Sequence, residues 1–337
     1  MPRPDIPQGG IGPRHGRQRR FFPGLLRSRR QEAPPAVRYL DKYQNVRYFA
    51  ILLRRPDGNP DRAESKGITG RETLTARIIT LVTDYGTSDH LVGTLKGVIL
   101  NINPEAKIVD INHHVAPYDV LDGALTIGAA YRYFPPRTIH VVVVDPGVGT
   151  QRRPLLVAGE TQYFIAPDNG VLSMVYEKEA SVSVRHITAD HYFLNPISST
   201  FHGRDIFAPA AGWLSKGSQT ASFGEEVTDY VRFALPKPKA SGNALKGVVL
   251  RVDNFGNLMT NLTMEDLPPA MTAEGKIKLH IDGKEIHQLA QTYAQGAPGE
   301  PFAIPGSSGF LEISVHRGNA ARALGVHRGA EVTLDLA

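Results

Sequence analysis

Seven consecutive residues, Thr138 to Val144 (TIHVVVV), constrain the fold more than any other stretch, because a strand apolar on both faces must lie in a sheet covered on both sides. The flanking sequence supplies the cover. Ala76 to Asp84 (ARIITLVTD) reads as a buried strand, and Asp89 to Ile102 places Leu91, Leu95, Val98 and Ile99 at helical spacing after a Ser88 cap. Lys107 to Ile111 reads as a short strand and Tyr118 to Phe134 as an amphipathic helix. Strand and helix in alternation predict a parallel, helix-flanked sheet. A strand pair, Pro154 to Ala158 and Tyr163 to Ala166, and a helix from about Arg204 to Leu214 complete this α/β domain, placed at residues 76–234.

The segment Leu235-Pro236-Lys237-Pro238-Lys239-Ala240-Ser241-Gly242 has the composition of a linker, taken as residues 235–246. Beyond it, Gly247 to Val252, Lys276 to Ile281 and Gly309 to Val315 are short β-rich runs between Gly and Pro turns, which predicts a smaller, mainly-β, barrel-like or sandwich domain over 247–337. Residues 1–75, rich in Arg, Pro and Gly, are expected to be a disordered leader. Its Arg19-Arg20-Phe21-Phe22 is followed by Pro23 and lacks the apolar region of an export signal.

The formal charge of +5 is unevenly spread, with +9 on residues 1–75 and −4 on the remainder. A domain that grips phosphates carries its excess on its own folded surface, so nucleic acid is not expected as a partner. The longest apolar run, Ile139 to Val144 apart from His140, falls far short of the roughly 20 residues of a membrane span. With no cysteine there is no disulfide, no thiolate nucleophile and no cysteine zinc site, and the cytoplasm is the expected compartment.

In an open parallel sheet, ligands bind beyond the carboxyl ends of the strands. Two aspartates stand there: Asp84, in Thr83-Asp84-Tyr85-Gly86, and Asp145, which opens Asp145-Pro146-Gly147-Val148-Gly149-Thr150-Gln151-Arg152-Arg153. Each is equally well read as a turn or capping residue. The Gly-rich turn after Asp145 is neither the dinucleotide fingerprint nor a P-loop. His202, in Ser198-Ser199-Thr200-Phe201-His202-Gly203-Arg204-Asp205-Ile206-Phe207, falls at a helix start, where the dipole favours a neutral imidazole. Arg204-Asp205 can be a structural ion pair. His90, His113 and His114 lack the carboxylate spacing of a metal motif, so no metal is expected. Val252-Asp253-Asn254-Phe255-Gly256-Asn257 and Gly306-Ser307-Ser308-Gly309-Phe310-Leu311-Glu312 are turns whose aromatic and amide groups suit a purine as well as turn chemistry.

In their order these segments resemble the S-adenosylmethionine (SAM) hydroxide adenosyltransferase family, the SAM hydrolases, relatives of the fluorinating and chlorinating enzymes. The resemblance runs from about Ile78 onward and includes Asn103-Pro104, Asp110-Ile111-Asn112-His113, Pro117-Tyr118-Asp119-Val120 and Pro167-Asp168-Asn169-Gly170. It implies that Asp145, Arg152 and His202 position and activate water and that Asp84 holds the ribose hydroxyls. It further implies that Asp253 and Asn257 face the methionine and adenine ends, that Phe255 and Tyr118 pack on adenosine, and that Ser307 and Ser308 line the adenine pocket. The implied assembly is a homotrimer with the substrate between one subunit's N-terminal domain and the next subunit's C-terminal domain.

The residue types suit the chemistry. The sulfonium at C5′ departs as neutral methionine, so no general acid and no cofactor are needed, and the expected small-molecule partners are SAM, adenosine and methionine. A positioned base typically contributes about 10²- to 10⁴-fold. The resemblance implies that the halogenating relatives place Tyr where this chain has Asp145 and Ser, in a halide pocket, where it has Gly203, and a carboxylate beside the attack position repels halide. A SAM-dependent halogenase and a non-catalytic SAM or adenosine binder are the alternatives.

Overall fold

The computed structural model describes residues 78–336, so the expected leader lies outside the described residues. The first sheet contains β1 (Ile78–Thr83), β2 (Lys107–Asn112), β3 (Ile139–Val143), β4 (Pro154–Ala158), β5 (Tyr163–Pro167) and β6 (Ser183–His186), in the order β2-β1-β3-β5-β4-β6. β1 runs parallel to β2 and β3, and β3 parallel to β5. β4 is antiparallel to both β5 and β6, so the sheet is mixed, with its parallel part carrying the strand ends of interest.

β3 is covered on both faces, as its composition demands. Val141 and Val143 pack with Ile79 and Leu81 against Leu95 and Ile99 of α1 (Leu91–Ile102). Val142 and Val144 pack with Val82 against Ile127 of α2 (Val120–Ala130) and Val175 of α3 (Ser173–Lys178). α4 (Ala208–Ser215) lies with α1, placing Ala210 and Leu214 in the first core. The fully buried His140 sits mid-strand between Thr80 Oγ1 at 2.6 Å and Gln162 Oε1 at 2.8 Å, and burial pushes its pKa down to about 4.

Helix starts differ from the sequence expectation. Ser88 does not cap α1; the Leu91 N–H donates to Asp89 Oδ1 at 3.1 Å. α2 begins after Asp119, whose carboxylate accepts from the Asp122 N–H at 3.0 Å, and ends in a 3₁₀ turn over Tyr131–Tyr133. The helix expected from Arg204 opens instead as a single π-turn, Gly203–Phe207, before α4.

The second sheet is antiparallel. It starts within the stretch read as linker, with β7 (Lys239–Ser241) pairing β8 (Ala244–Val252). β9 (Leu258–Thr260) follows, then α5 (Pro269–Glu274), β10 (Lys276–Ile281), β11 (Lys284–Gln288), β12 (Pro301–Pro305), β13 (Leu311–Val315), α6 (Ala320–Leu324) and β14 (Glu331–Asp335). The order β11-β10-β14-β8-β9-β13-β12 is nearly closed into a barrel by the bridge from Leu289 to Ala303. Val249, Leu258, Leu279, Ile313, Val332 and Leu334 fill it. No helix among the described residues is long and apolar enough to cross a membrane.

Candidate active site

Asp145 follows β3, and the tight turn after it brings Arg152 back over it. Gly149 makes that turn possible: its φ is +77°, and a β-carbon there would overlap the Ser199 carbonyl. The same close approach docks the turn on the segment that leads to His202. From the other side Asp205, fully buried, accepts from the Ser198 N–H at 2.8 Å and from Arg204 Nε at 2.6 Å. Arg204-Asp205 therefore braces the loop that carries His202.

The three side chains singled out from the sequence meet through the arginine. Arg152 donates from Nε to Asp145 Oδ1 at 2.9 Å and from Nη2 to Asp145 Oδ2 at 2.5 Å. Nη2 also donates to His202 Nδ1 at 2.7 Å, and the guanidinium lies over the Phe207 ring, 5.3 Å from its centroid. Both members of the ion pair are nearly inaccessible, at 8% for Arg152 and 5% for Asp145. Arg152 Nη1 is buried with no hydrogen-bond partner among the described residues.

This geometry fixes the state of His202. An Nδ1 that accepts from a guanidinium carries no proton, so the ring is neutral with its hydrogen on Nε2. Burial lowers the His202 pKa, the Arg152 charge lowers it further, and the Asp145 and Asp205 carboxylates oppose the shift. The spare lone pair of the ring is already used. Asp145 retains acceptor capacity on both oxygens, since each takes one arginine hydrogen.

Asp84 lies beyond β1, and its Oδ2 accepts from the Tyr118 N–H at 2.9 Å. Burial raises the Asp84 pKa; the Tyr118 N–H pulls against it and the negative Asp145 adds to it. Tyr118 adopts φ +64° and is 75% exposed, so its ring stands clear of its own chain. Tyr85, next along the chain, was not singled out as a site residue, although the Thr-Asp-Tyr-Gly motif contained it. Its hydroxyl reaches Gly203: a β-carbon there would come within 2.5 Å of it.

The C-terminal candidates form a second group. Asp253 Oδ1 accepts from the N–H groups of Phe255 and Asn257 at 2.9 and 2.8 Å, and its Oδ2 accepts from Asn257 Nδ2 at 2.8 Å. That closed turn holds Phe255 out, 74% exposed. In the second turn Ser307 is exposed, and Ser308 Oγ is buried with no partner among the described residues. Glu312 ends the second turn segment and enters β13; it lay within the quoted segment but was not named as a site residue. It accepts from Tyr293 Oη at 3.1 Å, and its pKa is raised by burial, with the Tyr293 bond opposing and Asp253 adding.

No hydrogen bond or ion pair among the described residues links Asp145, Arg152 or His202 to this second group within one chain. The two sheets are tied elsewhere, by Arg251 Nε to Asp122 Oδ1 at 3.0 Å, Arg251 Nη1 to Thr126 Oγ1 at 3.2 Å, and Arg328 to Asp119. Beside these pairs runs an open cleft of about 560 Å³ lined by Asn112, His114, Ala116, Asp253 and Asn254.

Comparison with known proteins matches both domains to one family. The family model described as the SAM hydroxide adenosyltransferase N-terminal domain matches residues 79–224, and that of the C-terminal domain residues 247–333. The (R)-S-adenosyl-L-methionine hydrolase of Salinispora tropica is 34% identical over 257 residues, covering 74% of this chain and 95% of that protein. A fluorinase from an Actinoplanes species is 30% identical over 291 residues, covering 77% and 98%. The crystal structure of an uncharacterized conserved protein from Thermotoga maritima matches with a TM-score of 0.71 at 36% identity, covering 76% of this chain and 99% of that one.

Proposed function

Since this chain belongs to the SAM hydroxide adenosyltransferase family, we propose that it hydrolyses SAM to adenosine and L-methionine by in-line attack of water at C5′. The observation that carries this reading is the buried Asp145–Arg152 pair, joined to a half-buried His202, at the carboxyl end of the parallel strands. Water that attacks C5′ becomes acidic as the new C–O bond forms, so a carboxylate of low basicity suffices as acceptor. Asp145 has the free lone pairs for that role; His202, whose Nδ1 is engaged, holds Arg152 in place. Methionine leaves as a neutral thioether, and the step needs neither metal nor cofactor.

Asp84, raised by burial yet held by the Tyr118 N–H, is the proposed ligand of the ribose hydroxyls. Asp253, Asn257, Ser307 and Ser308 are the proposed contacts to the methionine and adenine ends. The exposed rings of Tyr118 and Phe255 suit packing on adenosine, and a neighbouring copy of the chain would bring the second group to the first. The protein in this reading is a cytoplasmic homotrimer with its site between subunits.

Halide transfer is the competing reaction, since a fluorinase is among the relatives. In this reading the Asp145 carboxylate lies beside the proposed point of attack and would repel an anionic nucleophile, which favours water. The test is to incubate the protein with SAM in halide-free buffer and follow products by chromatography. Equimolar adenosine and methionine are expected, with Asp145→Asn slower by about 10²-fold or more. Tight binding of SAM without turnover would sink the hydrolase reading in favour of a binding protein, and a 5′-halo-adenosine formed on adding chloride or fluoride would support the halogenase.

A further inference from the structure

We propose that the Tyr85 hydroxyl is a further catalytic group, one that holds the attacking water beside Asp145 and His202; the proposal rests on the hydrolase reading above. Tyr85 lies two residues past the end of β1, and its N–H donates to Thr83 Oγ1 at 3.3 Å. Its ring packs against the first core and stands edge-on to Phe201, with centroids 5.8 Å apart and planes at 71°. The ring is thus held by apolar contacts on a rigid strand end, and its direction is set. What it presents is the hydroxyl, against the backbone of Gly203, the residue next to His202.

No described residue forms a hydrogen bond with that hydroxyl. The ring is half-buried while the hydroxyl stays open to solvent, so a solvent molecule can pair with it. Its surroundings identify the partner by chemistry. Burial, followed by the negative charges of Asp84 and Asp145, raises the phenol pKa, so the group stays protonated and is a donor; Arg152 opposes the shift only in part. A donor facing carboxylates calls for a small molecule that both accepts and donates, which describes water. In the reaction the water oxygen accepts from Tyr85 while one of its protons points to Asp145. The O–C5′ bond forms as the C5′–S bond breaks, the sulfur keeps the electron pair, and the proton passes to the carboxylate. Tyr85 is unchanged at the end.

The Gly203 contact supplies a clean test. Steady-state SAM turnover is measured for the full chain and for Tyr85→Phe, Gly203→Ala and the double variant, with thermal melting to show that each is folded. Tyr85→Phe is expected to lower kcat about tenfold, with KM for SAM changed by no more than about twofold, the size of one hydrogen bond lost at the reacting atom. In Gly203→Ala the new methyl meets only the Tyr85 hydroxyl closer than 3.4 Å, so the hydroxyl is displaced and kcat falls similarly. With the hydroxyl gone the methyl fits, and the double variant is expected to be no slower than Tyr85→Phe alone. Wild-type kcat in Tyr85→Phe, a loss confined to KM, or fully additive losses in the double variant would overturn the proposal. An unmutated chain that leaves SAM intact would instead overturn the hydrolase reading, and this inference with it.

Discussion

His202 works in this site only while it is uncharged, because a protonated Nδ1 would face the Arg152 guanidinium donor to donor. Its pKa is lowered from the ordinary 6.5, first by burial and then by Arg152, against Asp145 and Asp205. A depressed histidine pKa means that the neutral, paired form contributes fully above the unfolded value and is lost as pH falls through the folded one. We therefore expect kcat to be flat from about pH 8 down to about 6.5 and to fall below that. The pH profile of SAM turnover checks this, and the residual activity of His202→Asn should lack the same acidic limb. A profile that falls as pH rises from 6 to 8 would contradict it. Local pattern showed Asp145 and His202 as separate candidates, and only the family resemblance implied that they act with Arg152 as a group. That Arg152 lies between Asp145 and His202 depends on a turn closing on Ser199, which no local pattern encodes.

At the scale of elements the site is two loops pressed together, and Gly149 is the point of contact. Gly149→Ala adds a β-carbon against the Ser199 carbonyl at a φ of +77°, so both backbone segments must shift. The expected cost is about 2–4 kcal/mol of stability together with a large fall in kcat, measured by denaturant unfolding and SAM turnover. Gly86→Ala is the control: φ is +70° but nothing lies within 4 Å, so about 1 kcal/mol of strain is expected. Equal losses in the two variants would show that strain, not the Ser199 contact, is what matters. Element types were legible wherever apolar period was strong, as in β1, β3 and α1. The direction of β4 was not, because a hairpin and a crossover leave the same alternation in a short strand. Nor was the π-turn, since Ile206, Phe207 and Ala210 keep a spacing that also suits a plain helix.

Across the whole molecule, Arg251 of β8 and Arg328 of the turn before β14 meet Asp122 and Asp119 at the start of α2, beside the Tyr118 that holds Asp84. Asp122 is a nearly buried carboxylate, so Arg251→Met should cost about 2 kcal/mol, read as a lower urea midpoint. An unchanged midpoint would show that the two sheets are held by other contacts. This link was invisible in the sequence because charged pairs between distant segments carry no spacing rule. The β character of the second half was legible from its turns, but a strand at Lys239–Ser241 was hidden in a stretch whose Pro and Lys content reads as linker. The strand order of the barrel also dictates a timetable for synthesis. Every strand of the first sheet has left the ribosome by His186 and its last covering helix by Ser215, so that half can fold while translation continues. β8, by contrast, pairs with β14, Leu245 opposite Leu334, and one of its edges stays open until residue 335 has emerged. A ribosome that stalls between these points holds out a folded sheet and a strand with one open edge, the species from which this protein would aggregate.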